Sequence, residues 1–165
     1  MSTPKEFLKE LTDESVVTFK MLERVPEDKY DWRPHEKSMT MKQLAGHIAE
    51  LPSWVSMAFN SDELDFQAGT YQPPVINSNQ DLLALFNESL AGAKEQLQAA
   101  TEASLSPTWL LKSGEEVLMS LTKGGLIRHA LSQTIHHRAQ LGVYLRLLDI
   151  PIPGTYGPSA DEQSF

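Results

Sequence analysis

The stretch "RHALSQTIHHRAQ", residues 128–140, lies inside a longer segment of helical periodicity. From about Thr122 to Leu148, apolar positions recur every three or four residues, the spacing of one buried face of an α-helix. That face contains Leu126, Ala130, Thr134, His137, Leu141, Tyr144 and Leu148. His137 is therefore expected to point into the protein core, among apolar neighbours.

Three earlier segments have the same periodicity, and they run from about Pro4 to Arg24, Thr40 to Phe59 and Asn79 to Ala103. Pro52 interrupts the second segment, which predicts a kink or break near Leu51, because a proline inside a helix removes one backbone hydrogen bond. No segment shows sustained strand alternation, and "SLSPTWLLKSGEE", residues 104–116, is expected to be an irregular connection. The pattern predicts an all-α protein, a four-helix bundle.

Length and composition indicate one globular domain, residues 1–165, with an irregular tail rich in proline and glycine from about residue 150. A net charge of -8 argues against a nucleic-acid partner, because phosphate binding needs a basic surface. The chain contains no cysteine, which excludes disulfides and thiolate metal sites. The N-terminus is polar and no long apolar run occurs, so we expect a cytoplasmic protein that binds no membrane.

A second histidine belongs to a buried face. In the second helical segment, His47 shares its face with Leu44, Ile48, Leu51 and Val55. Facing helices of a bundle can bring two inward side chains together, and imidazole is a good ligand for Zn, Ni, Cu or Fe. The alternative is that both rings are ordinary core histidines with hydrogen-bond partners.

The helical rise selects the residue that could join His137 at a metal ion. His129 precedes His137 by eight residues, about 12 Å along a helix axis, which is too far for one metal ion. Gln133 lies one turn before His137, at a separation of about 6 Å that allows chelation. Its amide oxygen is a weaker ligand for these metals than imidazole. His136 is turned about 100° away and is expected at the surface.

Two stretches resemble the DinB/YfiT-like proteins, small helical proteins distinct from the DNA polymerase that shares the DinB name. The first is "YDWRPHEKSMTMKQLAGHIAELPSWV", residues 30–55, and the second is "IRHALSQTIHHRAQLGVYLRLLDIPIPGTYGPSADE", residues 127–162. The resemblance implies a four-helix bundle of up-down-down-up order, often a homodimer. It also implies a three-histidine site for Ni or Zn with open positions. Some members of that family use mycothiol or bacillithiol in isomerase or S-transferase reactions.

The resemblance places the first metal ligand at His47, in "LAGHIA", and the last at His137, in "HHRAQ". The middle ligand of the family pattern is a histidine four residues before the last, and Gln133 occupies that position here. The chain therefore keeps two of the three histidines of the pattern.

Two hypotheses of function follow from these residues. The first is a divalent-metal-dependent enzyme, with the metal on His47, Gln133 and His137, acting on a low-molecular-weight thiol or another small molecule. The second is a non-catalytic dimeric scaffold or small-molecule binder whose metal site is degenerate. The sequence identifies no catalytic acid, catalytic base or cofactor-binding residue.

Overall fold

The computed structural model describes residues 3–69 and 71–163. Its helices are α1 (Pro4–Leu22), α2 (Met41–Glu50), α3 (Ser53–Asn60), α4 (Asn79–Ala99) and α5 (Lys123–Leu147). Its strands are β1 (Glu63–Asp65), β2 (Thr108–Ser113) and β3 (Glu116–Thr122). Most of the described chain is helical, and the four predicted helical segments are present with shorter ends.

The predicted break at Pro52 is confirmed. Helix α2 ends at Glu50 and helix α3 begins at Ser53. Proline has no amide proton to donate to the preceding turn, so the helical ladder cannot continue through this position. The backbone at Leu51 and Pro52 nevertheless keeps right-handed helical angles, so the chain bends here without reversing. This bend lets α2 and α3 both pack against α4 and α5.

The prediction of an entirely helical protein is wrong at residues 63–65, 108–113 and 116–122, which form a small three-stranded sheet. Strands β2 and β3 form an antiparallel hairpin, and β1 pairs with β2 in parallel. A two-residue turn, Gly114 and Glu115, joins the hairpin strands, and Gly114 has a φ of 63°. Glycine adopts such an angle without steric cost. The predicted third segment also ends early, since residues 102–105 form a separate 3₁₀ turn.

The core is divided into two apolar clusters along the helices. One cluster surrounds α2 and the C-terminal part of α5, and it includes Met41, Leu44, Ile48, Phe86, Leu141 and Leu145. The other surrounds α3, the sheet and the N-terminal part of α5, and it includes Val55, Leu97, Trp109, Leu126 and Leu131. Helix α5 contributes to both clusters, which fixes its buried face against α2 and α3.

The C-terminal tail contains no helix or strand between Asp149 and Gln163. Ion pairs hold this tail against the helices, since Asp161 pairs with Arg146, and Glu162 with Arg24 at 2.8 Å. Hydrogen bonding from Arg146 lowers the pKa of Asp161 below its usual value. Among the residues that the structure describes, no helix is both long and apolar enough to cross a lipid bilayer.

Candidate metal centre

Helices α2 and α5 bring His47 and His137 together, as the sequence predicted. The centroids of the two imidazole rings lie 4.9 Å apart, and their planes are inclined by 76°. The neighbouring positions Leu44 and Ile48 on α2, and Leu141 on α5, are buried in one apolar cluster. Packing of these side chains positions the two histidines, which are themselves half-buried at the edge of the core.

Each imidazole has one nitrogen held by a neighbour on its own helix. Nδ1 of His47 lies 2.8 Å from Oε1 of Glu50, and Nδ1 of His137 lies 2.8 Å from Oε1 of Gln140. A carboxylate oxygen and an amide oxygen can only accept, so in neutral rings both Nδ1 atoms are the protonated ones. Nε2 of each ring is then an unprotonated nitrogen, the form that binds a metal ion.

Burial lowers the pKa of His137 below the usual histidine value. The hydrogen bond with Gln140 opposes this shift, and the nearby rings of His47 and His136 add to it when they are charged. The neutral imidazole is therefore the favoured form of His137. This is the protonation state that a metal ligand requires.

Gln133 contacts a different histidine. Its Nε2 lies 3.3 Å from Nε2 of His129, one turn earlier on α5. The His129 ring in turn stacks on Trp54 of α3, with centroids 6.3 Å apart, and Trp54 meets the His47 ring edge-on at 6.3 Å. His136 is exposed, as predicted. The partner that the structure gives to Gln133 is thus His129.

The donor set fits a metal ion only in part. His47 and His137 are good ligands in a suitable protonation state, whereas the third position offers an amide. Within residues 3–69 and 71–163, no group of three His, Cys, Asp or Glu side chains is arranged to hold a metal ion. A metal bound here would have fewer strong protein donors than the three that a catalytic zinc ion usually has.

Two polar residues of this region were missed by the sequence reasoning, Glu50 and Tyr71. Glu50 is only 8% exposed, and its carboxylate accepts hydrogen bonds from the Tyr71 hydroxyl at 2.9 and 3.1 Å. Burial, and then this hydrogen bond, raise the pKa of Tyr71 to about 12. The spacing of His47 and Glu50, three residues on one helix, could have revealed the first contact. No local signal indicates that Tyr71 reaches α2.

A cavity of about 450 Å³ opens beside His47. His47, Glu50 and Tyr71 form its polar wall, and Met39, Pro73 and Pro74 contribute apolar surface. Lys42 also lines it. This size and mixture of surfaces is typical of a site for a small molecule.

A sequence profile of the DinB family matches residues 1–164. The chain belongs to the DinB family. Its relatives include the uncharacterized protein YrdA of Bacillus subtilis (strain 168), which is 24% identical over 164 residues, covering 97% of this chain and 92% of that protein. The resemblance that the two sequence stretches predicted is thereby confirmed.

Solved structures show that this DinB-family chain has a DinB-like fold. A DinB-like protein from Bacillus cereus ATCC 10987 superimposes with a TM-score of 0.72 at 22% identity, covering 93% of this chain and 98% of that one. A mycothiol-dependent maleylpyruvate isomerase superimposes with a TM-score of 0.56 at 14% identity, covering 86% of this chain and 64% of the isomerase. At these identities the likeness concerns the fold alone.

Proposed function

We propose that this DinB-family protein is a metal-dependent enzyme acting on a small molecule, with a divalent ion, Ni or Zn, held by His47 and His137. Gln133 offers an amide oxygen as a weaker third ligand once it turns away from His129. The observation that carries the proposal is the pair of imidazoles at 4.9 Å, each with Nδ1 engaged by an acceptor so that Nε2 is left for a metal.

The cavity beside His47 supports a small-molecule substrate. Its apolar surface at Met39, Pro73 and Pro74 would bind the body of a ligand, and Lys42 would orient an anionic group. The chemistry that a bound metal would supply is a lowered pKa for a coordinated water or thiol. A low-molecular-weight thiol is the candidate co-substrate, on the analogy of the mycothiol-dependent isomerase with a similar fold.

The alternative is a non-catalytic scaffold or small-molecule binder with a degenerate metal site. Two observations favour it: Gln133 occupies the middle position, and its amide contacts His129 at 3.3 Å. Both alternatives keep the cavity, so metal binding is the property that separates them.

Three further properties remain predictions under either alternative: a homodimer, a cytoplasmic location, and a single domain forming a four-helix bundle of up-down-down-up order.

Calorimetric titration of Zn and Ni into protein purified without a nickel column tests the metal site. Gln133→His should raise the affinity, because a third imidazole is a stronger ligand than an amide. His137→Ala should weaken metal binding by more than roughly 10–100-fold, which is the usual loss when a residue that only hydrogen-bonds to a metal ligand is replaced. The matched controls are Ser132→His, which places a histidine on the exposed side of α5, and His136→Ala, which removes the exposed neighbour.

The proposal fails if Gln133→His binds no more tightly than Ser132→His and His137→Ala binds no more weakly than His136→Ala. His47 and His137 would then be core histidines, and the scaffold alternative would stand.

A further inference from the structure

One buried carboxylate, that of Glu50, connects the candidate metal centre with the loop that contains Tyr71. Glu50 lies at the end of α2 and is 8% exposed, and its Oε1 is 2.8 Å from Nδ1 of His47. Both of its oxygens also accept from the hydroxyl of Tyr71, which is 21 residues further along the chain. A buried carboxylate without partners is strongly unfavourable, so these two donors account for its position in the fold.

We infer that Glu50 and Tyr71 are positioning residues for His47, in a chain that runs from the Tyr71 hydroxyl through the Glu50 carboxylate to Nδ1 of the imidazole. Glu50 keeps the proton on Nδ1, so that Nε2 is the unprotonated nitrogen. Tyr71 keeps the carboxylate in the orientation that meets the ring. The inference rests on the proposed metal site for its functional meaning, since outer partners of this kind orient metal-binding histidines and fix their tautomer.

Tyr71 is needed because a glutamate side chain has several rotatable bonds. His47 alone contacts one oxygen of Glu50, whereas the Tyr71 hydroxyl bridges both oxygens and so fixes the plane of the carboxylate. A tyrosine hydroxyl is protonated at neutral pH, and the raised pKa of Tyr71, about 12, keeps it a donor well into the alkaline range.

The loop that carries Tyr71 is fixed to α2 at a second point. Ile76, 2% exposed, packs against Gly46, where an added Cβ atom would lie 2.8 Å from Cδ1 of Ile76. Gly46 and Glu50 are one helical turn apart and lie on either side of His47 in the sequence. The loop therefore lies along the turn that presents His47, and it forms the cavity wall next to that ring. A ligand in the cavity contacts the ring and its positioning residues together.

The tautomer of His47 tests the inference directly in metal-free protein. Two-bond ¹H–¹⁵N spectra at about pH 8, above the usual histidine pKa, distinguish a proton on Nδ1 from one on Nε2. Wild-type His47 should carry it on Nδ1. Glu50→Gln should shift the ring toward a mixture of tautomers, because an amide can donate as well as accept. Glu10→Gln, at a partly exposed carboxylate paired with Arg128, is the matched control and should leave the His47 signals unchanged.

Tyr71→Phe removes only the hydroxyl that donates to the Glu50 carboxylate. Exchange of the His47 Nδ1 proton with water should become faster, and Zn affinity should fall about two- to tenfold, the effect of one lost hydrogen bond. Glu50→Gln should reduce Zn affinity by about 10–100-fold. Tyr156→Phe is the matched control, because it removes a hydroxyl that is hydrogen-bonded to Glu14 on α1.

The inference is overturned if wild-type His47 carries its proton on Nε2. It is also overturned if Tyr71→Phe matches Tyr156→Phe in both proton exchange and affinity. If wild-type protein binds neither Zn nor Ni, the proposed function fails, but the tautomer and exchange measurements still decide the role of Glu50 and Tyr71. Neither the wild-type spectrum nor Tyr71→Phe depends on whether Glu50→Gln folds.

Discussion

At the scale of single residues, Arg138 is the most deeply buried charge in the described chain. It is 2% exposed, and its Nη1 lies 2.6 Å from Oε2 of Glu14 and 2.9 Å from Oγ1 of Thr18, both on α1. The pair joins α1 to α5 at the residue that directly follows His137 in the sequence. Two charges in such a place stabilise one another, but either one alone is unfavourable.

Arg138→Met should therefore lower the free energy of unfolding by about 3–5 kcal/mol, because it leaves the largely buried Glu14 carboxylate without its counter-charge, with only the hydrogen bond from the Tyr156 hydroxyl still in place. Adding Glu14→Gln in the same chain should recover part of that loss. Arg128→Met is the control, since the Arg128–Glu10 pair is 42% and 33% exposed and such pairs contribute about 0–1 kcal/mol. Urea unfolding of the wild type and these three variants measures the free energies of unfolding. Equal losses for Arg138→Met and Arg128→Met would contradict the argument.

Part of the candidate metal centre could be predicted from the sequence. His47 and His137 were predicted to meet because each lies on the apolar face of its helix, and the distance of 4.9 Å between ring centroids confirms it. The Glu50–Tyr71 contact could not be predicted, because it depends on the path of a long loop that has no periodic pattern. The role of Gln133 as a ligand remains a prediction.

At the scale of secondary structure, the helices were predictable and the sheet was not. Helical faces repeat over twenty residues or so, whereas the hairpin strands contain only 6 and 7 residues. The residues of β2 do not alternate between buried and exposed, and the register of β2 against β3 shifts between Leu111 and Lys112, so no sustained period of two identifies the strands. The glycine of the turn, Gly114, was the remaining signal in the sequence.

Gly114→Ala should destabilise the hairpin by about 1–3 kcal/mol, because alanine is strained at a φ of 63°. The added Cβ would also lie 2.6 Å from Oε1 of Gln67, whose amide donates to Ser113. Gly69→Ala is the control, since Gly69 has a similar φ of 67° and no atom within 4 Å of an added Cβ. Thermal unfolding should show the larger loss for Gly114→Ala, and replacing Gln67 by alanine should remove the difference. Equal losses would show that the Gln67 contact is unimportant.

At the scale of the whole molecule, several large apolar side chains remain on the surface of one chain. Val16, Val143 and Leu147 are 57%, 58% and 58% exposed, and Tyr156 is 65% exposed. Contact with a second copy of the chain would cover surface of this kind. The sequence suggests an association mainly through the family resemblance, with a weaker hint from its number of aromatic and apolar residues, because exposure depends on packing of all the helices.

The proposed homodimer predicts a sedimenting species of about twice 18.4 kDa at micromolar concentration. Dilution should convert it to a species of single-chain mass if the subunits are in exchange. A single species of 18.4 kDa across the whole concentration range would contradict the homodimer.

The contact of Trp54 with two histidines has an optical consequence. The indole ring lies 6.3 Å from the rings of both His47 and His129, whereas Trp109 is fully buried and hydrogen-bonded to Ser61. A cation bound to either imidazole, whether a proton or a metal, changes the electric field at the Trp54 ring and hence its fluorescence. With Trp32 and Trp109 replaced by phenylalanine, Trp54 is an intrinsic fluorescent probe. Its emission wavelength and intensity then report in real time whether a proton or a metal ion is bound to the imidazoles.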